Sequence, residues 1–296
     1  MPSETTAALA LSGPSKRRLS RAAWEEIGGY LFILPWIIGF LAFTFGPMVY
    51  SLYLGFVDTD ILTHTDWVGL ENYTGLFVDP LWIKSMRNTA YYTFVMVPLS
   101  TLGSLLLAVL LNQEIRFRSL FRTIYYLPSV LSGVAVALLW VWILNRDFGI
   151  VNGAIRLFGV RGPAWLQSEQ WAMPALILMG LWGVGGNMII FLAALQGVPA
   201  SLYDAAKIDG AATLSTFWNI TVPMITPTIF FSLVMGIINS FQVFTQAYVM
   251  TDGGPNNATL TQVLYLYRKA FEQFHFGYAS AIAWVLFAVI LVFTAA

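Results

Sequence analysis

The chain has 296 residues, of which 58% are hydrophobic and only 10% are charged. Soluble domains carry about 25% charged residues, so this chain has too few charges to cover a surface that faces water. Fifteen basic and fifteen acidic residues leave a net charge of zero, and cysteine is absent. This composition offers no basic surface for a nucleic acid and excludes disulfides and thiolate metal sites. It indicates an all-α integral membrane protein, whose solvent is membrane lipid.

The first 28 residues are polar and predict a cytoplasmic tail. Basic residues precede the first apolar segment at Lys16, Arg17, Arg18 and Arg21. Lys and Arg close to a membrane span resist translocation, so this end of the chain is expected inside the cell. The apolar segment that follows is too long for a signal-peptide core, and no A-x-A-like cleavage motif comes after it. We therefore expect it to remain as a membrane helix.

Six segments are long enough to cross a membrane core of about 30 Å, which takes about 20 residues. None of them contains Lys, Arg, Asp or Glu. The predicted spans are Gly29–Phe56, Thr89–Leu111, Thr123–Leu144, Trp171–Leu195, Pro227–Met250 and Tyr278–Ala296. An even number of spans places both termini in the cytoplasm. The chain is expected to divide into the tail 1–28, a first helix with its outer loop over 29–87, and a five-helix core over 88–296.

The segment between the fourth and fifth spans, residues 196–226, is the most informative inner loop. Ser201 followed by Asp204 resembles a capping box and predicts the start of a short helix. Gly210 is suited to end that helix in the left-handed conformation. A second short helix is predicted over Leu214–Ile220, before Pro223.

Two interpretations of this loop are open. It contains a single basic residue, Lys207, whereas helices that lie on a membrane surface are typically rich in Lys and Arg. The pattern therefore favours a docking site for a soluble partner over an amphipathic loop resting on lipid.

The run over residues 203–211, continuing through Phe217, Ile220, Pro223 and Pro227, resembles the EAA loop. That loop marks the permease subunits of binding-protein-dependent ABC importers, and its Ile-Asp-Gly-Ala form is similar to the carbohydrate-uptake branch of the maltose and glycerol-phosphate type. Further matches to the family are Tyr126–Pro128, Trp140, Asn145, Asp147–Gly149, Asn152, Thr251–Pro255, Tyr265–Tyr267, Ala270, Phe271 and Gly277–Ala281.

The resemblance implies a six-helix permease in a bacterial or archaeal cytoplasmic membrane. Its implied partners are a companion six-helix permease in a heterodimer, two ATPase subunits and an extracytoplasmic solute-binding protein. Because the chain has no G-x-x-x-x-G-K-[ST] motif, ATP and Mg are expected on the partner ATPase, with no cofactor in this chain. The residues implied to couple to that ATPase are Asp204, Ala205, Ala206, Asp209, Gly210, Ala211 and Pro223. The family usually has Glu where this chain has Asp204.

Neutral amides within the predicted spans are candidates for the substrate path. Asn239, Gln242 and Gln246 are spaced to share one face of the fifth helix, and Asn187 lies in the middle of the fourth. Amides suit sugar hydroxyls, although interhelical hydrogen bonding is an equally ordinary role for them in membranes. His64 and His275 are isolated in the sequence, so we expect no metal site.

Other classes of function fit the sequence less well. A proton-coupled secondary transporter would need an ionisable group in its spans, and the predicted spans contain no Lys, Arg, Asp or Glu. A membrane enzyme would need paired carboxylates or a His cluster near a span end. A permease of the EAA type for glycerol phosphate, an amino acid or another solute stays open, whereas the uncharged spans favour a sugar, oligosaccharide or related polyol.

Overall fold

The computed structural model of the chain describes residues 21–60 and 63–295. Most of the predicted tail, and Ala296 at the end of the predicted last span, lie outside these residues. The described chain forms two units that meet between Ser51 and Leu52. The three-part division expected from the sequence stays a prediction.

The first unit contains most of the first predicted span, whose last residues belong to the second unit. A continuous helical segment covers Gly28–Leu54 and is built from α1 Arg21–Phe40, a π turn at Leu41–Phe45 and α2 Gly46–Leu54. The wide turn comes directly before Pro47. Proline cannot donate a backbone hydrogen bond, and its ring clashes with the carbonyl four residues earlier, so a widened turn accommodates it without ending the helix.

The second unit is mostly helical. In chain order its elements are β1 Val57–Thr59, β2 Thr65–Trp67, α3 Glu71–Leu76, α4 Pro80–Asn112, α5 Arg118–Val130, α6 Gly133–Ile143, α7 Ile150–Arg156, α8 Glu169–Trp182, α9 Gly185–Gln196, α10 Ala200–Ile208, α11 Thr213–Thr216, a π turn Phe217–Thr221, α12 Val222–Phe241, α13 Thr245–Thr251, α14 Gln262–Tyr267, a π turn Arg268–Glu272 and α15 Phe276–Ala295.

Four helical segments among the described residues are long and apolar enough to span a membrane alone. They are Gly28–Leu54, α4, the run Thr213–Phe241 and α15. Two bent pairs, α5 with α6 and α8 with α9, reach that length only when each pair is counted as one span. The protein is therefore mostly helical, with four spans or up to six.

The third predicted span, Thr123–Leu144, is not one straight helix. α5 and α6 meet at an angle of 102°, because Leu131 and Ser132 between them are extended, with ψ of 150° and 129°. Pro128 in the last turn of α5 and the Ser132–Gly133 pair account for this bend. The fourth predicted span, Trp171–Leu195, is also bent, by 45° between α8 and α9.

The fifth predicted span, Pro227–Met250, has different bounds in the structure. Its helix begins earlier, at Thr213, and ends earlier, at Phe241. The early end has no glycine or proline to cause it. Instead, the carbonyl of Val243 turns away from the helix and accepts a hydrogen bond of 2.9 Å from the Thr261 hydroxyl.

A small antiparallel hairpin corrects the all-α prediction. β1 and β2 pair through Val57 with Trp67 and Thr59 with Thr65. Each strand has only three residues, too few to produce a recognisable alternation. The Asn72 amide fixes the hairpin by donating to the Val57 carbonyl at 2.9 Å.

α4 connects the two buried clusters of the second unit. Near its N-terminal end, Trp82 and Tyr92 pack with Leu176 of α8 and Leu264 of α14. Near its C-terminal end, residues 105–111 pack with α9 and with the start of α12. At 1.5 Å per residue, the 33 residues of α4 separate its ends by about 50 Å.

The α9 backbone approaches the α5 backbone closely at Gly185. A Cβ atom there would lie 1.8 Å from the Tyr125 carbonyl oxygen, whereas at the neighbouring Gly186 it would lie 3.4 Å from the Ser129 Cβ. We therefore expect Gly185→Ala to destabilise the protein by about 1–3 kcal/mol, because helix backbones must separate to admit the methyl group.

Thermal unfolding in detergent, followed by tryptophan fluorescence, measures this effect. Gly186→Ala is the matched control and is expected to leave the melting temperature unchanged or slightly raised, since alanine favours a helix. Equal melting temperatures for the two variants would contradict the assigned contact.

Candidate functional site

The patterned loop folds as a short helix at the C-terminal end of α4. α10 begins directly after Pro199, and no side chain caps its N-terminus. The predicted capping box is therefore wrong, because Ser201 lies inside the first turn and not before it. The fixed φ of proline and the extended Pro199 backbone begin this helix without a side-chain cap.

The C-terminal end of α10 agrees with the sequence prediction. Gly210 has φ of +72°, the left-handed conformation that glycine adopts without steric cost. The Gly210 N–H donates to the Lys207 carbonyl at 3.1 Å, and the Ala211 N–H donates to the Ala206 carbonyl at 2.9 Å. These two bonds form a Schellman motif, which satisfies the last carbonyls of the helix and reverses the chain.

One side of α10 is anchored and the other is free. Ala206 is buried, and the Tyr203 hydroxyl lies 3.1 Å from the Thr221 hydroxyl at the start of α12. On the free side the Ile208 side chain is 86% exposed. The other predicted coupling residues of the loop are also exposed, namely Asp204, Ala205, Asp209, Gly210 and Ala211. Apart from Ala206, the predicted residues thus lie on accessible surface.

Pro223 does not separate two helices, as the sequence analysis expected. The second short helix continues through the π turn Phe217–Thr221 directly into α12. Pro223 lies in the first turn of α12, and the Val222 N–H donates to the Phe217 carbonyl five residues earlier. The wide turn accommodates the proline, so α10 connects to a single continuous helix that leads away from the loop.

The three amides of the predicted fifth span border one cavity of about 300 Å³, which we call the amide cavity. They do not share a helix face, because α12 ends at Phe241 before Gln242 and Gln246. The chain turns over residues 242–244 and continues as α13. This turn brings the three amides to the same cavity. The cavity is lined by Tyr92, Met96, Gly180, Asn239, Ser240, Gln242, Val243, Phe244, Thr245 and Gln246.

Asn187 lies elsewhere. Its amide nitrogen donates to the Ser232 hydroxyl at 3.3 Å, which links α9 to α12. It is not among the residues that line the amide cavity. This contact is the interhelical role that the sequence analysis considered as the alternative to substrate binding.

Opposite α10, at the N-terminal end of α4, three connecting segments form what we call the platform: the described residues of the first segment, 57–60 and 63–79, and residues 145–169 and 251–275. Hydrogen bonds join these segments to one another and to α4. The Asn88 amide donates to the Asn257 carbonyl at 2.9 Å, and the Asn256 amide donates to the Glu169 carboxylate. The Lys84 ammonium donates to the Asn256 carbonyl. The platform is thereby attached to the first turns of α4.

Asp79 is the central polar group of the platform. Its carboxylate accepts hydrogen bonds from the Tyr265 hydroxyl and, at 2.7 Å, from the Tyr278 hydroxyl. It also caps α4 by accepting from the backbone N–H groups of Leu81 and Trp82. Burial raises the pKa of Asp79, but these hydrogen bonds outweigh it, so the pKa lies below its ordinary value.

His64 is less isolated than its sequence position indicates. Its ring nitrogens lie 3.7 Å from an Asp58 oxygen and 3.6 Å from an Asp60 oxygen. A hairpin brings these carboxylates to the imidazole, a juxtaposition that sequence spacing did not reveal.

Two features define the class of protein. Several described helices are long and apolar enough to span a membrane, and a cavity bordered by three amide side chains lies among the helices that join α10 to the platform. This arrangement is that of a membrane transport subunit. Residues 100–296 match the family described as binding-protein-dependent transport system inner membrane component, and the chain belongs to that family.

Individual relatives agree with this assignment. The chain is 41% identical to YesP of Bacillus subtilis (strain 168), a probable ABC transporter permease, over 90% of this chain and 87% of YesP. It is 35% identical to the lactose transport system permease LacF of Rhizobium radiobacter, over 91% and 92% of the two chains.

A solved structure is similar as well. A chain of a bacterial alginate ABC transporter, in complex with an alginate-pentasaccharide-bound periplasmic protein, matches with a TM-score of 0.81 and 27% identity, over 92% of this chain and 94% of that one. The protein is therefore a permease subunit of an ABC importer in a bacterial inner membrane, and it is a transport component rather than an enzyme.

The depressed pKa of Asp79 predicts a pH-dependent contribution to stability. A carboxylate whose folded-state pKa is lowered stabilises the fold fully above its unfolded pKa of about 4, and this contribution is lost as pH falls through the folded value. We expect Asp79→Asn to lower the melting temperature at pH 7, with the difference from wild type shrinking as pH falls below about 4.

The control variant is Asp66→Asn, which removes an exposed carboxylate on β2. Melting curves of both variants and the wild type, in detergent at pH 7 and pH 3.5, provide the comparison. A deficit of Asp79→Asn that is the same at both pH values would show that its charge is not responsible.

Proposed function

We propose that this chain is one of two permease subunits of an ATP-driven importer that carries a sugar or oligosaccharide across the membrane. The exposed surface of α10 is the observation on which the coupling role rests, because an anchored helix with exposed apolar and acidic side chains suits a soluble ATPase. The amide cavity is the proposed substrate site, and the likeness to LacF supports a sugar substrate.

The proposed topology counts each bent helix pair as one span and has six spans. The tail and the C-terminus then lie in the cytoplasm together with α10, and the platform faces outward. α4 supports this sidedness, since α10 lies at one of its ends and the platform at the other, about 50 Å away.

Four further subunits complete the proposed importer. A companion six-helix permease pairs with this chain, and two ATPase subunits, which bind ATP and Mg, dock below. A solute-binding protein delivers substrate to the platform. A binding-protein partner is supported by the similar alginate transporter, whose structure contains a periplasmic protein.

The proposed coupling path passes through α12. When the ATPase pair closes, it displaces α10, and the Tyr203–Thr221 contact carries this displacement to the start of α12. The far end of α12 carries Asn239 at the amide cavity. A helix moves as a rigid body, so closure of the ATPase changes access to the cavity from one side to the other.

The lining of the amide cavity is suited to an uncharged, hydroxyl-rich substrate. Among the described residues that line it, none is Asp, Glu, Lys or Arg. Amides supply paired donors and acceptors for sugar hydroxyls. The Phe244 ring borders the cavity and stacks on the Tyr248 ring at 5.3 Å, offering an aromatic face of the type on which sugar rings pack.

The coupling role predicts the effect of charge on α10. Ile208→Asp places a carboxylate on the apolar contact surface, where docking would desolvate it without a partner. We expect the variant to insert and fold normally but to lose at least tenfold in substrate-stimulated ATP hydrolysis by the reconstituted complex. Asp204→Lys is expected to act in the same direction.

Thr213→Asp is the matched control, because it adds the same charge to the same loop at the first residue of α11, where a helix N-terminus tolerates an acid. Normal substrate-stimulated ATP hydrolysis with Ile208→Asp would contradict the proposed coupling role of α10. Substrate uptake by this chain without any ATPase subunit would instead support the secondary-transporter alternative.

The substrate role predicts a second set of variants. Gln246→Leu and Asn239→Leu each remove an amide from the cavity, and we expect uptake of the transported sugar to fall about two- to tenfold for each, the equivalent of one or two hydrogen bonds. Asn187→Leu is the matched control, since its amide contacts Ser232 and lies outside the cavity.

Uptake is measured in proteoliposomes that contain the whole complex, with neutral oligosaccharides, glycerol phosphate and amino acids as candidate substrates. An equal loss in all three variants would point to general damage and remove the cavity from the substrate path. Uptake of glycerol phosphate or an amino acid in preference to every sugar would replace the sugar assignment.

A further inference from the structure

Three arginines gather in the segment that connects α6 to α8. Arg146, Arg156 and Arg161 border a cavity of about 250 Å³, together with Asp147, Asn152 and Gly162. All three arginine side chains are exposed. The neutral chain thus concentrates three of its fifteen basic residues around one small concave site of the platform.

The site keeps a net positive charge, because its lining contains three guanidinium groups and a single carboxylate, that of Asp147. Among residues 21–60 and 63–295, none of the three guanidinium groups takes part in an ion pair. Arg156 is instead held by two backbone carbonyls, of Asn152 at 3.3 Å and of Asp147. Fixing an arginine through neutral acceptors orients it while leaving its charge available to another molecule.

The loop beneath the arginines is firmly held. The Asn152 side chain is buried, and its amide nitrogen donates to the carbonyls of Arg146 at 3.0 Å and Pro163 at 3.1 Å. Its amide oxygen accepts from the Trp165 indole at 2.8 Å. Asn152 therefore ties both ends of the arginine-bearing loop together, and the site is preorganised.

Large exposed apolar side chains lie next to the arginines in the sequence, beside Asp147 and Arg156. Phe148 is 71% exposed, Leu157 86% and Phe158 84%. Together with the three arginines they form what we call the arginine patch. Exposed aromatic and aliphatic groups beside arginines are the composition of protein–protein contact sites, in which arginine and aromatic residues supply much of the binding energy.

We propose that the arginine patch is the docking surface for an acidic region of the solute-binding protein, whose carboxylates enter the three-arginine cavity while its apolar side chains cover Phe148, Leu157 and Phe158. The inference rests on the proposed function, which supplies this partner and faces the platform outward. Charge complementarity identifies the chemistry, because an unpaired, preorganised arginine cluster selects carboxylates.

A site in the platform favours a protein over a lipid headgroup. The Asn256–Glu169 hydrogen bond joins the arginine-bearing segment to the 251–275 segment, so the patch is continuous with the proposed delivery surface. Its cations also surround a cavity, into which a carboxylate side chain can insert, whereas a bilayer surface presents headgroups to a flat face.

The test uses the assembled importer in nanodiscs of purely zwitterionic lipid. Binding of the solute-binding protein is titrated by fluorescence anisotropy, and stimulated ATP hydrolysis is measured in the same samples. We expect the double variant Arg146→Glu/Arg161→Glu to raise the dissociation constant at least tenfold and to reduce its dependence on salt, while the maximal hydrolysis rate at saturating binding protein is preserved. Arg87→Glu is the matched control, since it reverses an exposed charge on α4 outside the patch.

Each outcome is distinguishable. Unchanged affinity and unchanged salt dependence in the double variant would overturn the proposal. The same titration is repeated in nanodiscs that contain anionic lipid. An effect of the double variant that appears only there would also overturn the proposal, because it would assign the arginine patch to lipid headgroups. If the wild-type complex shows no stimulation by any binding protein, the proposed function itself fails. If the melting temperature of Arg156→Glu is unchanged, this single variant tests the arginine patch independently of the double variant.

Discussion

The length of α4 is the constraint on which the rest of the structure depends. One helix of 33 residues carries the platform at its first turns and the buried contacts of the coupling end at its last turns, and both buried clusters of the second unit include its side chains. Because a helix of this length does not compress, the distance between the two ends is fixed at about 50 Å. The breaks in the helical segments lie around α4, in the bent pairs α5–α6 and α8–α9 and between α12 and α13.

Prolines within the long helices are accommodated by the same device twice. A π turn ends two residues before Pro47 at Phe45 and two residues before Pro223 at Thr221. In both cases the widened turn changes the position of the carbonyls that the proline ring would meet, so the helix continues through a residue that ordinarily ends it. Propensity alone predicts a helix end at Pro223, whereas in the structure the helical segment continues through this residue.

Sequence reasoning predicted those features that depend on local composition and missed those fixed by distant contacts. The length of the charge-free segments predicted the first, second and last membrane helices, and Gly210 predicted the left-handed turn that ends α10. The end of α12 at Phe241 could not be predicted, because it is set by Thr261 on another segment. Asp79 is a different case, since an aspartate before Pro80 is a recognisable helix start; hydropathy alone placed the start of α4 nine residues too late, at Thr89. Three-residue strands, by contrast, leave no periodicity to detect.

The placement of α12 bears on how the proposed soluble partner can influence a distant cavity. Thr221, the residue before its first turn, contacts Tyr203 of α10, and its last turn places Asn239 at the amide cavity. The 20 residues of α12 extend about 30 Å, so a small rotation at α10 becomes a displacement at Asn239 without any sequential pathway of side-chain changes. Because the chain breaks directly after Phe241, α13 with Gln246 need not follow that displacement. Asn239 and Gln246 therefore lie on two separate helices, an arrangement that suits the proposed substrate site, which has to bind a substrate in one state and release it in another.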